Sequence, residues 1–201
     1  RSIAAYKAAE LTRSLIREGA NVRVIMTEGA CEFITPLTLQ ALSGHEVHTD
    51  LLDTEAEAAM GHIELARWAD ALLIAPASAD SIARLVQGRA DDLLGACALA
   101  TPAPVFVAPA MNQEMWAKQA TQDNVQTLVS RGIAMLGPSS GSQACGDVGA
   151  GRLLEPDDIV SAVAEHLSTG ALSGRHVVIT AGPTREPICP VRYISCLLYT
   201  S

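Results

Sequence analysis

Short apolar runs separated by segments with helical spacing constrain this chain more than any other feature. Residues 22–26, 71–75, 105–108 and 133–136 are runs of four or five residues, the length of strands rather than helices. Between and around them, residues 3–18, 36–43, 62–69, 78–86, 91–100, 122–130 and 156–167 read as helices. In the first, Ala4, Ala8, Leu11 and Leu15 form the apolar stripe, with Lys7, Arg13 and Arg17 off it. Strands alternating with helices imply an α/β fold with a doubly wound parallel sheet. The strands are apolar throughout, as expected when both faces are covered. Ligands of such sheets bind at the carboxyl ends of the strands, which singles out the loops after Met26, Ala75, Ala108 and Leu136.

Composition narrows the class. Hydrophobic residues make up 49% and charged residues 18% of the 201-residue chain, enough apolar content for one real core and against disorder. Aromatics are only 3%, so the core is built from Ala, Val, Leu and Ile. The formal net charge of -8 disfavours nucleic-acid binding, which needs a basic face. No apolar run is long enough to cross a membrane. The five cysteines, Cys31, Cys97, Cys145, Cys189 and Cys196, are odd in number and contain no Cys-x-x-Cys pair. They suggest neither a disulfide framework nor a metal site, and a cytoplasmic protein is expected.

Four candidate residues lie near strand ends or helix starts. Ser78, after the strand at 71–75, sits where it can cap the next helix and leave N–H groups facing an anion. Asn112, after the strand at 105–108, has an amide able to hold a carboxylate. His62 opens a helix after Gly61 and belongs to the residue type that exchanges protons near neutral pH. Cys145 lies within the Gly- and Ser-rich stretch 137–151, which reads as one long pliable loop. Each has a plainer reading taken alone: an ordinary cap, a turn Asn, an exposed His and an incidental loop Cys.

Taken together and in order, certain segments resemble one family. They are Ile3-Ala4-Ala5-Tyr6-Lys7, Gly61-His62-Ile63-Glu64-Leu65, Pro76-Ala77-Ser78-Ala79-Asp80, Pro109-Ala110-Met111-Asn112 and Ala144-Cys145-Gly146-Asp147. The family is the flavin-containing cysteine decarboxylases, specifically the phosphopantothenoylcysteine decarboxylase domain. Ala-Met-Asn and Ala-Cys-Gly-Asp are its specific signatures; the helical patterns are not. Farther on, Ala181-Gly182-Pro183-Thr184-Arg185-Glu186 and Pro190-Val191-Arg192-Tyr193-Ile194-Ser195 resemble the start of phosphopantothenate–cysteine ligase, which many bacteria fuse behind the decarboxylase. The expected organisation is a decarboxylase domain at 1–167, a linker at 168–174, a ligase fragment at 175–195 that begins with a strand near 177–180, and an unmatched tail at 196–201.

The resemblance implies a flavodoxin-like sheet of order 2-1-3-4-5, with the first, central strand missing from this chain. It implies FMN as cofactor and phosphopantothenoyl-cysteine as substrate. FMN oxidises the cysteine carbon bearing sulfur to a thioaldehyde, carbon dioxide leaves, and the enethiol is reduced again, giving 4'-phosphopantetheine for coenzyme A biosynthesis. By position His62 matches the acid–base histidine, Asn112 the residue holding the substrate carboxylate, and Cys145 the proton donor of the last reduction. Ser2, Thr27 and Ser78 fall in loops resembling the FMN-binding ones. The family forms homo-oligomers, trimers or multiples of trimers. Ligase activity is expected to be lost from a chain carrying so little of that domain.

The sequence departs from the pattern at three places. Arg1 stands where the family has Gly in a flavin phosphate loop, Cys189 replaces an Asp before Pro190, and Cys196-Leu197-Leu198-Tyr199-Thr200-Ser201 replaces the expected ligase continuation. Two other readings share the fold: a sibling flavin enzyme, either a prenyltransferase or a peptide cysteine decarboxylase, and a noncatalytic phosphatase inhibitor. The ligase-like segment opposes the first. The presence of His62, Asn112 and Cys145 opposes the second.

Overall fold

A computed structural model describes residues 3–51, 61–143, 146–168 and the backbone of 184–189 and 192–196. The chain divides into two compact units, residues 1–166 and 167–201.

The first unit opens with a 3-10 turn, Ile3–Tyr6, that runs into α1 (Lys7–Arg17). Then come β1 (Val24–Ile25), α2 (Glu28–Cys31), α3 (Pro36–Ser43) and β2 (Val47–His48). After these follow α4 (His62–Trp68), β3 (Leu72–Ala77), α5 (Ala79–Gln87), α6 (Leu93–Ala100) and β4 (Val105–Pro109). The unit continues through α7 (Gln113–Ala117), α8 (Gln119–Ser130) and β5 (Ala134–Met135) to the hairpin β6 (Ser139–Ser142) and β7 (Val148–Arg152), and on into α9 (Pro156–Leu167). In the second unit, β8 (Thr184–Cys189) and β9 (Arg192–Cys196) form an antiparallel pair. The strand expected at 177–180 lies outside the described residues.

The parallel, doubly wound character is present. β4 lies between β3 and β5, parallel to both, and β1 pairs β2 in parallel. These are two separate sheets among the described residues: β1 and β3 are not hydrogen-bonded to each other. The period-2 alternation of β3 and β4 sends side chains to opposite faces. Leu73, Ala75, Phe106 and Ala108 meet Leu11 of α1 and Ile159, Val160 and Val163 of α9. Leu72, Ile74, Val105 and Val107 meet Ile82 of α5 and Leu128 of α8. Phe106, Val107, Ile82, Leu128 and Ile159 are fully buried, each worth roughly 1.5–3 kcal/mol relative to exposure. The small sheet shares the same layers. Met26 and Val47 pack with Leu39, and Ala9 of α1 joins them, while Ile25 packs on Leu65, Leu93 and Cys97. Thus α1 serves both sheets on one face.

Two expectations need correction. The stretch 137–151 is not one long loop: Ser139–Ser142 and Val148–Arg152 pair antiparallel. Its glycines and serines hid strands held by backbone pairing rather than apolar burial. The region before α4 also contains a strand, β2, that has too few residues to show a period.

Candidate functional site

The loops after β1, β2 and β3 converge on one cavity of about 420 Å³. Its wall includes Met26 and Thr27 after β1, Thr49 and Asp50 after β2, and Ser78 and Ser81 after β3. This is the carboxyl-end position that the parallel sheet dictates. Ser78 is the N-cap of α5: its Oγ accepts from the Ser81 backbone N–H at 3.2 Å and lies 3.0 Å from Ser81 Oγ. Thr27 occupies the N-cap position of α2 without a side-chain cap bond. Thr27 and Ser78, both expected to touch cofactor, therefore line the same space. Ser2 lies outside the described residues.

The far wall is charged, which sequence reasoning missed. Arg84 of α5 reaches Asp91 at 2.8 Å and Asp92 at 3.4 Å, and Arg89 also pairs with Asp91. The Arg89 hydrogen bond is the main cause holding the Asp91 carboxyl below its ordinary value. Asp92 caps α6, its Oδ1 accepting from the Gly95 N–H at 2.7 Å. A Cβ on Gly95 would sit 2.2 Å from the Arg89 carbonyl oxygen, so only glycine lets this turn close. The only sequence signal for the network was the charge run Arg89-Ala90-Asp91-Asp92.

Asn112 belongs to a different constellation. It follows β4 as the N-cap of α7, with Oδ1 accepting from the Glu114 N–H at 2.8 Å. That bond turns the amide NH₂ toward the β6–β7 hairpin. There Nδ2 donates to Asp147 Oδ2 at 3.0 Å and to Gln143 Oε1 at 3.4 Å. The Met111 N–H donates to the Gly151 carbonyl at 2.9 Å and docks the loop on β7. Cys145 lies outside the described residues; Gln143 and Asp147 stand two positions to either side of it in sequence.

His62 is the first residue of α4, partly exposed. Its carbonyl accepts from Cys97 Sγ of α6 at 3.5 Å. Neither His62 nor Asn112 lines the Thr27–Ser78 cavity. The described residues thus bring the two cofactor candidates together and place Asn112 and His62 elsewhere on the same unit. No cluster of metal-ligating side chains occurs among the described residues, and no described helix is long and apolar enough to cross a membrane.

Residues 1–168 match the family model described as Flavoprotein. The chain belongs to the flavoprotein family. Residues 172–197 match a second model, the DNA/pantothenate metabolism flavoprotein C-terminal domain. Among curated relatives, the coenzyme A biosynthesis bifunctional protein CoaBC of Vibrio cholerae is 58% identical over 96% of this chain and 48% of its own length. The protein of the same name from Escherichia coli is 59% identical, with the same coverage. The chain spans about half the length of the curated relatives it matches. Two solved structures share the flavodoxin-like fold. A cysteine-to-serine mutant of PPC decarboxylase, complexed with pantothenoylaminoethenethiol, is 34% identical with a TM-score of 0.72, covering 82% of this chain and 92% of that one. The FMN binding protein AtHal3 is 35% identical with a TM-score of 0.71, covering 85% and 94%.

Proposed function

We propose that this flavoprotein domain carries out FMN-dependent decarboxylation of 4'-phosphopantothenoyl-cysteine to 4'-phosphopantetheine, a step of coenzyme A biosynthesis. The observation that carries the reading is the Asn112 amide. It projects from the carboxyl end of β4 and already grips a carboxylate, that of Asp147, at 3.0 Å. A donor so oriented suits the carboxylate that the reaction removes. The likeness to CoaBC proteins and to a PPC decarboxylase supports the same substrate.

The cavity fits the cofactor. Its volume lies within the range of cofactor sites, about 300–1,000 Å³. It opens at strand ends between Thr27, Thr49, Ser78 and Ser81, hydroxyls able both to donate and to accept. Thr27 and Ser78 would hold FMN there, with Ser2 as a third contact. Bound FMN supplies the reversible two-electron oxidation that makes carbon dioxide a feasible leaving group.

The chain's own residues do the rest. Asn112 orients the substrate carboxylate through its amide N–H groups. The His62 ring exchanges a proton with the reacting thiol group. Cys145 Sγ gives a proton to the carbon that is reduced last. The working protein is a cytoplasmic homo-oligomer, a trimer or a multiple of trimers. We assign no condensation of phosphopantothenate with cysteine to the short ligase-like stretch.

The direct test supplies phosphopantothenoyl-cysteine to the yellow, FMN-loaded protein. Carbon dioxide and 4'-phosphopantetheine should appear in equal amounts without net oxidant. A flavin-loaded protein that releases no carbon dioxide from this substrate would refute the assignment.

A further inference from the structure

Residues 143–147 close on themselves. The Gln143 N–H donates to the Asp147 carbonyl at 2.8 Å, and the Gly146 N–H donates to the Gln143 carbonyl at 2.9 Å. Immediately outside, Ser142 pairs with Val148 at the end of the β6–β7 ladder. Both side chains at the neck of this loop reach the same amide, that of Asn112. They do so differently. Gln143 threads the Asn112 segment: its Oε1 also accepts from the Gln113 N–H at 3.1 Å, and its Nε2 donates to the carbonyls of Met111 at 3.4 Å and Ala150 at 3.5 Å. It is tied to backbone on both sides and has no charge. Asp147 brings a carboxylate.

An Asn amide has two N–H donors, and here one is aimed at Gln143 and the other at Asp147. A substrate carboxylate held by Asn112 must take one of those places. It cannot share the amide with Asp147, because two carboxylates within a few ångströms repel. Gln143 offers no such conflict and holds the loop by several bonds. Asp147 is therefore the group that yields.

We propose that Asp147 is a positioning residue whose carboxylate occupies the Asn112 amide as a stand-in for the substrate carboxylate. Binding exchanges one carboxylate for the other and releases the neck of the loop that carries Cys145, while Gln143 keeps Asn112 in place. This rests on the reading of Asn112 as the substrate-carboxylate residue. It adds that substrate arrival and the freedom of the Cys145 loop are one event.

The test uses the FMN-loaded protein and two readouts other than turnover. The first is the rate at which iodoacetamide alkylates Cys145, followed by peptide mass spectrometry without added ligand. Asp147→Asn should raise that rate several-fold, because a neutral amide oxygen is a weaker acceptor than a carboxylate. The second is the affinity for 4'-phosphopantothenoyl-serine, whose hydroxyl replaces the thiol, set against its counterpart lacking the carboxylate. Asp147→Asn should bind the carboxylate compound about tenfold more tightly, the scale of one unit of differential charge interaction, and the other compound unchanged. Asp147→Ser, which removes the charge by a different route, should give both results and guards against a folding defect in one variant. An alkylation rate within about twofold of wild type in both variants overturns the tie between Asp147 and the loop. Unchanged or weaker binding of the serine compound overturns the exchange. If no variant, nor the wild type, binds either compound while the alkylation rate rises, the substrate reading fails and the tie stands.

Discussion

Cys97 Sγ of α6 donates to the main-chain carbonyl of His62, the first residue of α4, across 3.5 Å. The thiol is 2% exposed, and burial pushes its pKa up to about 11. Since the thiolate is the reactive form, Cys97 should resist alkylation at neutral pH until the protein unfolds. Cys97 also belongs to the apolar cluster with Leu65 and Leu93, so its volume sets the spacing of α4 and α6. Cys97→Leu should overpack this contact and cost about 1–3 kcal/mol, read as a lower denaturant midpoint with unchanged slope. Because His62 begins α4, kcat should fall as well. A variant with wild-type stability and kcat would show that the contact does not hold His62.

The junction of Met111 with β7 depends on a missing side chain. Gly151 has φ +139°, and a Cβ there would lie 2.3 Å from the Met111 carbonyl oxygen. The clash is with backbone, so Gly151→Ala must push the Asn112 segment off the hairpin. A loss of about 1–3 kcal/mol is expected, together with a raised KM for the decarboxylation substrate. Gly44→Ala is the control. Gly44 also has positive φ, +73°, but nothing lies within 4 Å of its Cβ position. It should cost about 1–2 kcal/mol from the left-handed backbone alone and leave KM unchanged. Equal KM values in the two variants would detach Gly151 from the site.

These two contacts show what the sequence could and could not reveal. β3 and β4 were legible because each is buried on both faces by helices, which demands an unbroken apolar run such as Val105-Phe106-Val107-Ala108. β2 was not: it has two residues, one of them a buried His, too few for any period. The β6–β7 hairpin was not, because Ser139, Gly141, Gly149 and Gly151 carry its pairing with little apolar burial. At the site, Ser78 could be placed from the strand-to-helix switch before it, since capping is a local interaction. Asn112 could be placed at a strand end, but its partners Gln143 and Asp147 are 31 and 35 residues away. Side-chain pairs at that separation leave no periodic trace. The Arg84–Asp91–Asp92 network of the cavity wall escaped for a related reason. Its residues look like a solvated charge run until α5 and α6 are set side by side.

Acid should loosen α9 from α1 at one identifiable place. Asp157 Oδ1 accepts from Ser14 Oγ at 2.8 Å and from Arg17 Nη2 at 2.9 Å. The Ser14 hydrogen bond first, and then the Arg17 one, hold the Asp157 carboxyl below its ordinary value of 3.8. A carboxyl whose pKa is lowered by folding stabilises fully above its unfolded pKa and loses that contribution as pH falls through the folded one. Asp157→Asn should therefore melt below wild type at about pH 7. The gap should close as the pH drops from about 4 to about 2, where wild type is protonated too. A gap of constant size across that range would show that the charge at 157 contributes nothing.

Asn112→Asp and His62→Asn should both nearly abolish decarboxylation, and the structure separates their causes. Asn112→Asp puts a second carboxylate where Nδ2 now lies 3.0 Å from Asp147 Oδ2. It exchanges an attraction for a like-charge contact and also opposes the substrate carboxylate. The fault lies in binding, so affinity for 4'-phosphopantothenoyl-serine should fall by about a hundredfold or more, the 3 kcal/mol scale of truncating a buried charged hydrogen bond. Stability should fall too, because the loop neck at 143–147 loses its hold. His62→Asn leaves that hairpin untouched. Its main-chain carbonyl still accepts from Cys97, so stability and affinity for the serine compound should stay near wild type. Only the proton exchange is removed, a loss of about 10²–10⁴-fold in kcat. The pair is read by calorimetric binding, a melting curve and carbon dioxide release on the same FMN-loaded preparations. If His62→Asn weakens binding as much as Asn112→Asp does, His62 holds substrate rather than moving a proton. If Asn112→Asp binds the serine compound normally, the carboxylate is held by some other group.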